Sequence, residues 1–248
     1  MTAQFATELH LARQQLLEVE TITARYPGFD IDQAYLVQAA GIELRLEEGE
    51  RIIGGKLGFT SRAMQQAMGV KHPNYGWLTD AMLIHDGVVP LGRLIHPKVE
   101  PEIAFLLKDD LEPPVSVADV IRATDGVMPC LEVVDSRYMD FRFQAADNIA
   151  DDSSAGMLML GDPHPPGRLD LTGVVVSENG IVKFTAAGAA ALDHPAAAVA
   201  WMANNCQRPL RAGDIVISGG LTAPIDLYPE LFVTAEFDRI GTVQLRAA

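Results

Sequence analysis

Hydrophobic positions fall into two textures along the chain. Phe5, Leu9, Ala12, Leu16 and Val19 recur at helical spacing, and Tyr26-Pro27-Gly28 supplies a stop. Asp30 is a good cap for a second helix from about Ile31 to Glu48, with Gln33 as reciprocal partner and Gly49 as its end. These two helices predict an N-terminal helical cap over residues 1–50. After Arg51 the pattern changes to short Val-, Ile-, Phe- and Leu-rich runs broken by Gly, Pro, Asp and Asn. Strands are expected at Arg51–Gly58, Glu100–Leu107, Met128–Asp135, Leu171–Glu178, Ile181–Ala187, Asp214–Ser218, Leu231–Phe237 and Gly241–Arg246. Glu178-Asn179-Gly180 is a type I′ hairpin signal, and Asp238 to Gly241 closes a second hairpin. Helices are expected at Arg62–Met68, at Val115–Asp125 capped by Ser116, and at Pro195–Asn205. Strands outnumber helices without alternating with them, which argues against a Rossmann or barrel pattern. The prediction is an α+β fold whose catalytic unit, residues 51–248, is a mixed or antiparallel sheet, curled or sandwiched.

Composition narrows the function classes. Of 248 residues, 48% are hydrophobic and 21% charged, the balance of an ordinary globular protein. A formal net charge of −14 argues against non-specific nucleic-acid binding, which needs clustered Lys and Arg. It leaves room for an anionic substrate, because a metal and a few cations reverse the local sign. No apolar run reaches the ~18 residues of a membrane span, and Met1 to Leu9 lacks a secretory pattern. With Cys130 and Cys206 expected as buried reduced thiols, the reading is a cytoplasmic protein without membrane or nucleic-acid partners.

The chemistry concentrates in a few stretches. If Glu100 to Leu107 is extended, Glu100, Glu102, Ala104 and Leu106 share one face, and Pro101, Ile103, Phe105 and Leu107 the other. Two carboxylates then point the same way at the head of an apolar strand. They are either a solvated strand end or two oxygen ligands for a hard divalent ion. Glu132 lies inside an apolar strand, where a carboxylate needs either a Lys or Arg partner or a shared metal. Lys56, flanked by glycines in Gly54-Gly-Lys-Leu-Gly-Phe-Thr-Ser61, is a strand-edge cation, an anion contact, or a proton-transfer group if its pKa is lowered. Ser218-Gly-Gly-Leu-Thr222 offers backbone N–H groups and a hydroxyl to a carboxylate. His96 and His194 precede prolines and read as turn or cap residues. No nucleophile elbow and no Cys–His pairing occurs, so covalent catalysis has no support.

Five ordered motifs carry a resemblance. They are Gly55-Lys-Leu-Gly-Phe-Thr-Ser61, Tyr75-Gly-Trp-Leu-Thr-Asp80, His96-Pro-Lys-Val-Glu-Pro-Glu-Ile103, Leu131-Glu-Val-Val-Asp-Ser-Arg137 and Gly213-Asp-Ile-Val-Ile-Ser-Gly-Gly-Leu-Thr222. Together they resemble the fumarylacetoacetate hydrolase superfamily, in its hydratase and decarboxylase branch, over nearly the whole chain. The resemblance implies a mixed β-sheet roll with N-terminal helices. It implies that Glu100, Glu102 and Glu132 bind Mg²⁺ or Mn²⁺, which chelates the 1-carboxylate and 2-oxo oxygen of a small 2-oxo acid. It assigns proton handling to Lys56 and Asp80, and substrate binding to Ser61, Leu78, Arg137, Ser154, Gly220 and Thr222. It further implies a homo-oligomer, associated with the partner hydratase or decarboxylase of the same pathway. The expected reaction is decarboxylation of 2-oxo-3-hexenedioate to 2-hydroxypenta-2,4-dienoate in aromatic meta-cleavage catabolism, with hydration of that dienoate as the alternative. Other members of the superfamily, such as an acylpyruvate hydrolase, and a non-catalytic acidic scaffold are further alternatives. One segment departs from the pattern: Ala150-Asp-Asp-Ser-Ser-Ala155 stands where such proteins commonly carry Ala-Asp-Asn-Ala-Ser-Ser, so Asp152 replaces an amide donor with an acceptor-only group.

Overall fold

A computed structural model describes residues 1–248. Helix α1 (Thr2–Gln15) ends earlier than its periodicity predicts, because Leu16 turns left-handed at φ 56 and its N–H bonds back to the Ala12 carbonyl. A single turn, α2 (Ile22–Arg25), follows. Helix α3 (Ile31–Glu47) begins with the predicted capping box between Asp30 and Gln33. Phe5, Ile22 and Val37 of these helices pack around Tyr138, Ala146 and Ile149 from the rest of the chain.

The remaining elements are β1 (Ile52–Gly58), α4 (Arg62–Ala67), β2 (Asn74–Thr79), β3 (Val88–Val89), β4 (Lys98–Leu107), α5 (Val117–Ala123), β5 (Thr124–Val134), α6 (Ala145–Ala150), β6 (Ala155–Leu160), β7 (Gly173–Glu178), β8 (Ile181–Ala187), α7 (Pro195–Asn205), β9 (Ile215–Ile217), β10 (Ile225–Asp226), β11 (Phe232–Phe237) and β12 (Gly241–Ala247). Seven strands form one curled sheet in the order β2-β1-β9-β4-β5-β6, with β10 also on β4. Five form the second, β3-β12-β11-β7-β8. The β1–β9 and β12–β3 pairs are parallel and the rest antiparallel, so the fold is mixed α+β as expected. Asn179 and Gly180 carry the positive φ values, 48° and 80°, that a type I′ hairpin requires.

Every predicted strand is present, but β2, β6 and the two-residue strands β3 and β10 were not predicted. Of the two longer ones β2 is fully and β6 half buried, and Asn-Tyr-Gly-Trp-Leu-Thr and Ala-Gly-Met-Leu-Met-Leu show neither alternation nor β-branched enrichment. The outer face of the curled sheet joins the second sheet and α7 in a core of 41 buried residues, including Ile103, Phe105, Leu131 and Val216. Its inner face carries a smaller apolar floor of Leu78, Ala104, Met128, Cys130, Leu158 and Ile217. No helix is long and apolar enough to cross a membrane. Cys130 is buried, whereas Cys206 is only half-buried, contrary to expectation, and both are free thiols.

Candidate active site and metal centre

Strand alternation sorts the β4 side chains as expected. Ile103, Phe105 and Leu107 enter the main core, while Ala104 joins the inner floor. Glu100 and Glu102 therefore lie on the inner face. Register then brings in Glu132, because Glu100 pairs directly with Glu132 on β5 and Glu102 with Cys130. One ligand oxygen from each of Glu100, Glu102 and Glu132 lies within 4.8 Å of the others.

Three carboxylates this close repel one another and lose hydration, so something cationic must compensate. Lys56 on β1 supplies one charge: its Nζ lies 2.8 Å from Glu132 Oε1 and donates a 2.8 Å hydrogen bond to the Ser153 carbonyl. Glu102 Oε2 accepts the Gly219 N–H at 2.7 Å. These contacts leave Glu102 Oε1 and Glu132 Oε2 buried without any hydrogen-bond partner. Buried orphaned oxygens within a trio of carboxylates this close fit a hard divalent ion.

The electrostatics agree. Desolvation, then the Glu132 charge, pushes the Glu100 carboxyl up to about 7 against the pull of Lys56. The same causes raise Glu102 well above the usual carboxylate range. For Lys56, burial alone would lower the pKa, but Glu132, Glu102 and Glu100 outweigh it and raise the value. Lys56 is thus an ammonium here rather than the lowered-pKa base that its glycine-flanked position allowed.

Gly219 and Gly220 follow β9 and let the backbone close on the trio. Gly219 has φ 89, and a Cβ at Gly220 would lie 2.8 Å from the Glu100 carboxyl carbon. A cavity of about 800 Å³ opens over this point. Lys56 and Glu100 lie at its base, Ser61, Ser153, Ser154, Gly220 and Thr222 contribute polar groups, and Phe59, Met64 and Met68 contribute apolar walls. Ser61 caps α4 by accepting the Met64 N–H at 3.1 Å, and Ser154 Oγ accepts from Asn148 Nδ2 at 2.9 Å.

Three sequence-derived site residues are not brought to this cavity. Asp80 pairs with Arg51 at 2.9 Å, beyond the opposite end of the β1–β2 ladder. Four residues of strand separate Lys56 from the Ile52–Thr79 pair, about 13 Å at the rise of an extended chain. Hydrogen bonds from the Arg51 backbone and guanidinium hold the Asp80 carboxyl low. Arg137 is buried in an ion pair with Asp151, and its Nη2 also donates to the Asp151 carbonyl at 2.6 Å. Leu78 lies in the apolar floor beneath the carboxylates rather than at the cavity surface. The alternation that located the glutamates carries no information on where strand-end residues such as Asp80 and Arg137 turn.

Other lining residues were missed. Asn148 joins Asn74 and Ser154 in a buried hydrogen-bonded chain, and Lys98, Phe141, Arg142 and Phe143 line the outer cavity. The one available signal was Arg142 set between two phenylalanines after the Glu132 strand. His194 caps α7 by accepting the Ala196 N–H, as expected.

Comparison with known proteins finds relatives along nearly the whole chain. The fumarylacetoacetate (FAA) hydrolase C-terminal family matches residues 55–247. A 2-hydroxypent-2,4-dienoate hydratase of Pseudomonas putida is 46% identical over 209 residues, covering 81% of this chain and 93% of that protein. A 4-oxalocrotonate decarboxylase of Pseudomonas putida is 37% identical over 254 residues, covering 97% and 94%. The solved 4-oxalocrotonate decarboxylase of Pseudomonas putida G7, complexed with magnesium and adipate, superposes with a TM-score of 0.96 at 34% identity, over 100% of this chain and 97% of that one. These relatives are decarboxylases and hydratases, both lyases. The chain belongs to the fumarylacetoacetate hydrolase family, within its hydratase and decarboxylase branch.

Proposed function

We propose that this chain is a divalent-metal-dependent lyase that decarboxylates 2-oxo-3-hexenedioate to 2-hydroxypenta-2,4-dienoate. The observation that carries the reading is the convergence of Glu100, Glu102 and Glu132, with orphaned oxygens, beside Lys56 at the base of one cavity. These three glutamates would hold Mg²⁺ or Mn²⁺. The bound ion supplies a Lewis acid for the 1-carboxylate and 2-oxo oxygen of the substrate.

The chain's own groups complete the site. Lys56 keeps a fixed positive charge at the cavity base, where negative charge develops on the 2-oxo oxygen. Ser153 orients that ammonium through its carbonyl. Thr222, Ser61 and the Gly220 backbone offer polar groups to the carboxylate end, while the apolar walls exclude water from the hydrocarbon chain. In the reaction the C5–C6 bond breaks, CO₂ leaves, and its electron pair forms the C4–C5 double bond. The C3–C4 double bond shifts to C2–C3, and the 2-oxo oxygen gains the charge and then a proton. Asp80 and Arg137 have no part in this scheme, because other ion pairs engage them away from the cavity.

The second reading, hydration of 2-hydroxypenta-2,4-dienoate, is favoured by the 46% identity to a hydratase. The helices of residues 1–50 serve in both readings as a cap on the catalytic unit, supported by their packing on Tyr138 and α6. Free thiols at Cys130 and Cys206 support a reducing, cytoplasmic setting. Supplying each acid separately with Mg²⁺ tests the choice. Release of CO₂ from 2-oxo-3-hexenedioate is the expected result, whereas turnover of the dienoate alone would establish the hydratase reading.

A further inference from the structure

Three cations line the cavity, and they differ in what engages them. Lys56 is buried and committed to Glu132 and the Ser153 carbonyl. Lys98 is ion-paired with Asp226 and stands 5.3 Å from the centre of the Phe141 ring. Arg142 lines the same cavity with a guanidinium that has no ion-pair partner.

The backbone that presents Arg142 is held firmly. Asp140 and Phe141 both adopt φ 57, and the Arg142 N–H closes the turn on the Met139 carbonyl at 3.1 Å. The Phe141 ring packs 5.4 Å from His96 and 5.5 Å from Phe143, so aromatic contacts fix the segment beside the arginine. The anchored turn removes only the loop's share of the ordering cost, and the planar donor fork of the guanidinium matches a carboxylate.

The cavity therefore carries positive charge at two depths. Lys56 is buried and Arg142 exposed, while Leu57, Phe59, Met64, Met68, Val134 and Pro224 give the apolar surface of the same chamber. The protein's net charge of −14 repels a dianion, which makes a local unpaired cation consequential. We infer that Arg142 receives the remote carboxylate of a dicarboxylic substrate and makes the site prefer diacids over monoacids. The inference rests on the reading that the glutamate end holds a metal and the first carboxylate.

The test compares binding of adipate and pentanoate to the Mg²⁺-loaded protein by calorimetry, in wild type, Arg142→Gln and Arg142→Lys. Arg142 is exposed, so these variants leave the core untouched. Wild type is expected to bind adipate about tenfold more tightly than pentanoate, the scale of one charge-assisted contact. Arg142→Gln should lose that preference with pentanoate binding unchanged, and Arg142→Lys should keep most of it. No preference in wild type, a preference that survives in Arg142→Gln, or equal weakening of both acids would overturn the inference. Turnover of the two unsaturated acids by wild type is measured alongside. A selective protein that turns over neither would refute the proposed reaction while supporting the role of Arg142.

Discussion

Glu100 on β4 and Glu132 on β5 stand directly opposite each other across an antiparallel ladder, with Lys56 Nζ 2.8 Å from Glu132. Like charges in that position destabilise a sheet unless a cation intervenes. One ammonium cannot balance Glu100, Glu102 and Glu132 together. In the proposed function a divalent ion held by the same three carboxylates offsets the imbalance.

Removing Lys56 should expose this imbalance. Lys56→Met leaves Glu132 buried without its counter-ion, and breaking a buried pair costs about 3–5 kcal/mol. Urea unfolding of the metal-free variant should show a loss of that order, reduced when Mg²⁺ is present. Activity with saturating Mg²⁺ should fall by about 100-fold or more. A variant equally stable with and without metal would contradict the account.

Metal affinity should weaken as pH falls. Glu100 titrates near 7, and burial and the Glu132 charge raise Glu102 well above the usual carboxylate range, so a bound ion must displace protons from these groups. Binding should release protons, visible as a dependence of calorimetric heat on the ionisation enthalpy of the buffer. The apparent affinity should drop progressively below pH 7. A pH-independent affinity between 5 and 8 would be incompatible with carboxylate ligands in this state.

Asp152 gives a pH-dependent stability of known sign. Its Oδ1 accepts the Trp77 N–H at 2.8 Å, its Oδ2 is buried without a partner, and desolvation raises its pKa from 3.8 to about 7. The folded state thus holds the proton more tightly than the unfolded chain. The resulting penalty is absent below pH 4, grows as pH rises from 4 to 7, and is complete above 7. Asp152→Asn removes it while keeping an acceptor for Trp77. The stability difference between variant and wild type should shift in favour of the variant by on the order of 3 kcal/mol between pH 4 and 8. A difference that stays constant with pH would show that Asp152 does not titrate as described.

Gly220→Ala probes the close approach of the loop to Glu100 and the proposed metal site. The added Cβ would sit 2.8 Å from the Glu100 carboxyl carbon, so Glu100 or the loop must shift. Metal affinity should fall about tenfold with little change in melting temperature, since the loop and not the core is displaced. Unchanged Mg²⁺ affinity would mean that Glu100 is free to move without loss.

What the sequence made legible follows from period and local chemistry. Alternation along Glu100–Leu107 placed two glutamates on one face, and the Asp30–Gln33 capping box and the Asn-Gly turn marked element ends correctly. Strand β2 escaped because full burial removes alternation, and β6 because its glycine, leucines and methionines lack β-branching. Register was also invisible, so the pairing of Glu100 with Glu132 rested on resemblance until the strands were seen side by side. Arg137 misled for a related reason: its partner Asp151 is distant in sequence and follows α6. The outer cavity, where Arg142 lies, depends on how loops fold over the sheet, which no periodicity encodes.

The most direct test is calorimetric titration of Mg²⁺ into metal-free wild type, Glu102→Gln and Glu132→Gln at pH 8. The account predicts one ion per chain in the wild type and loss of binding in both variants, with their folds intact by circular dichroism. No binding by the wild type, or wild-type affinity in either glutamine variant, would contradict it.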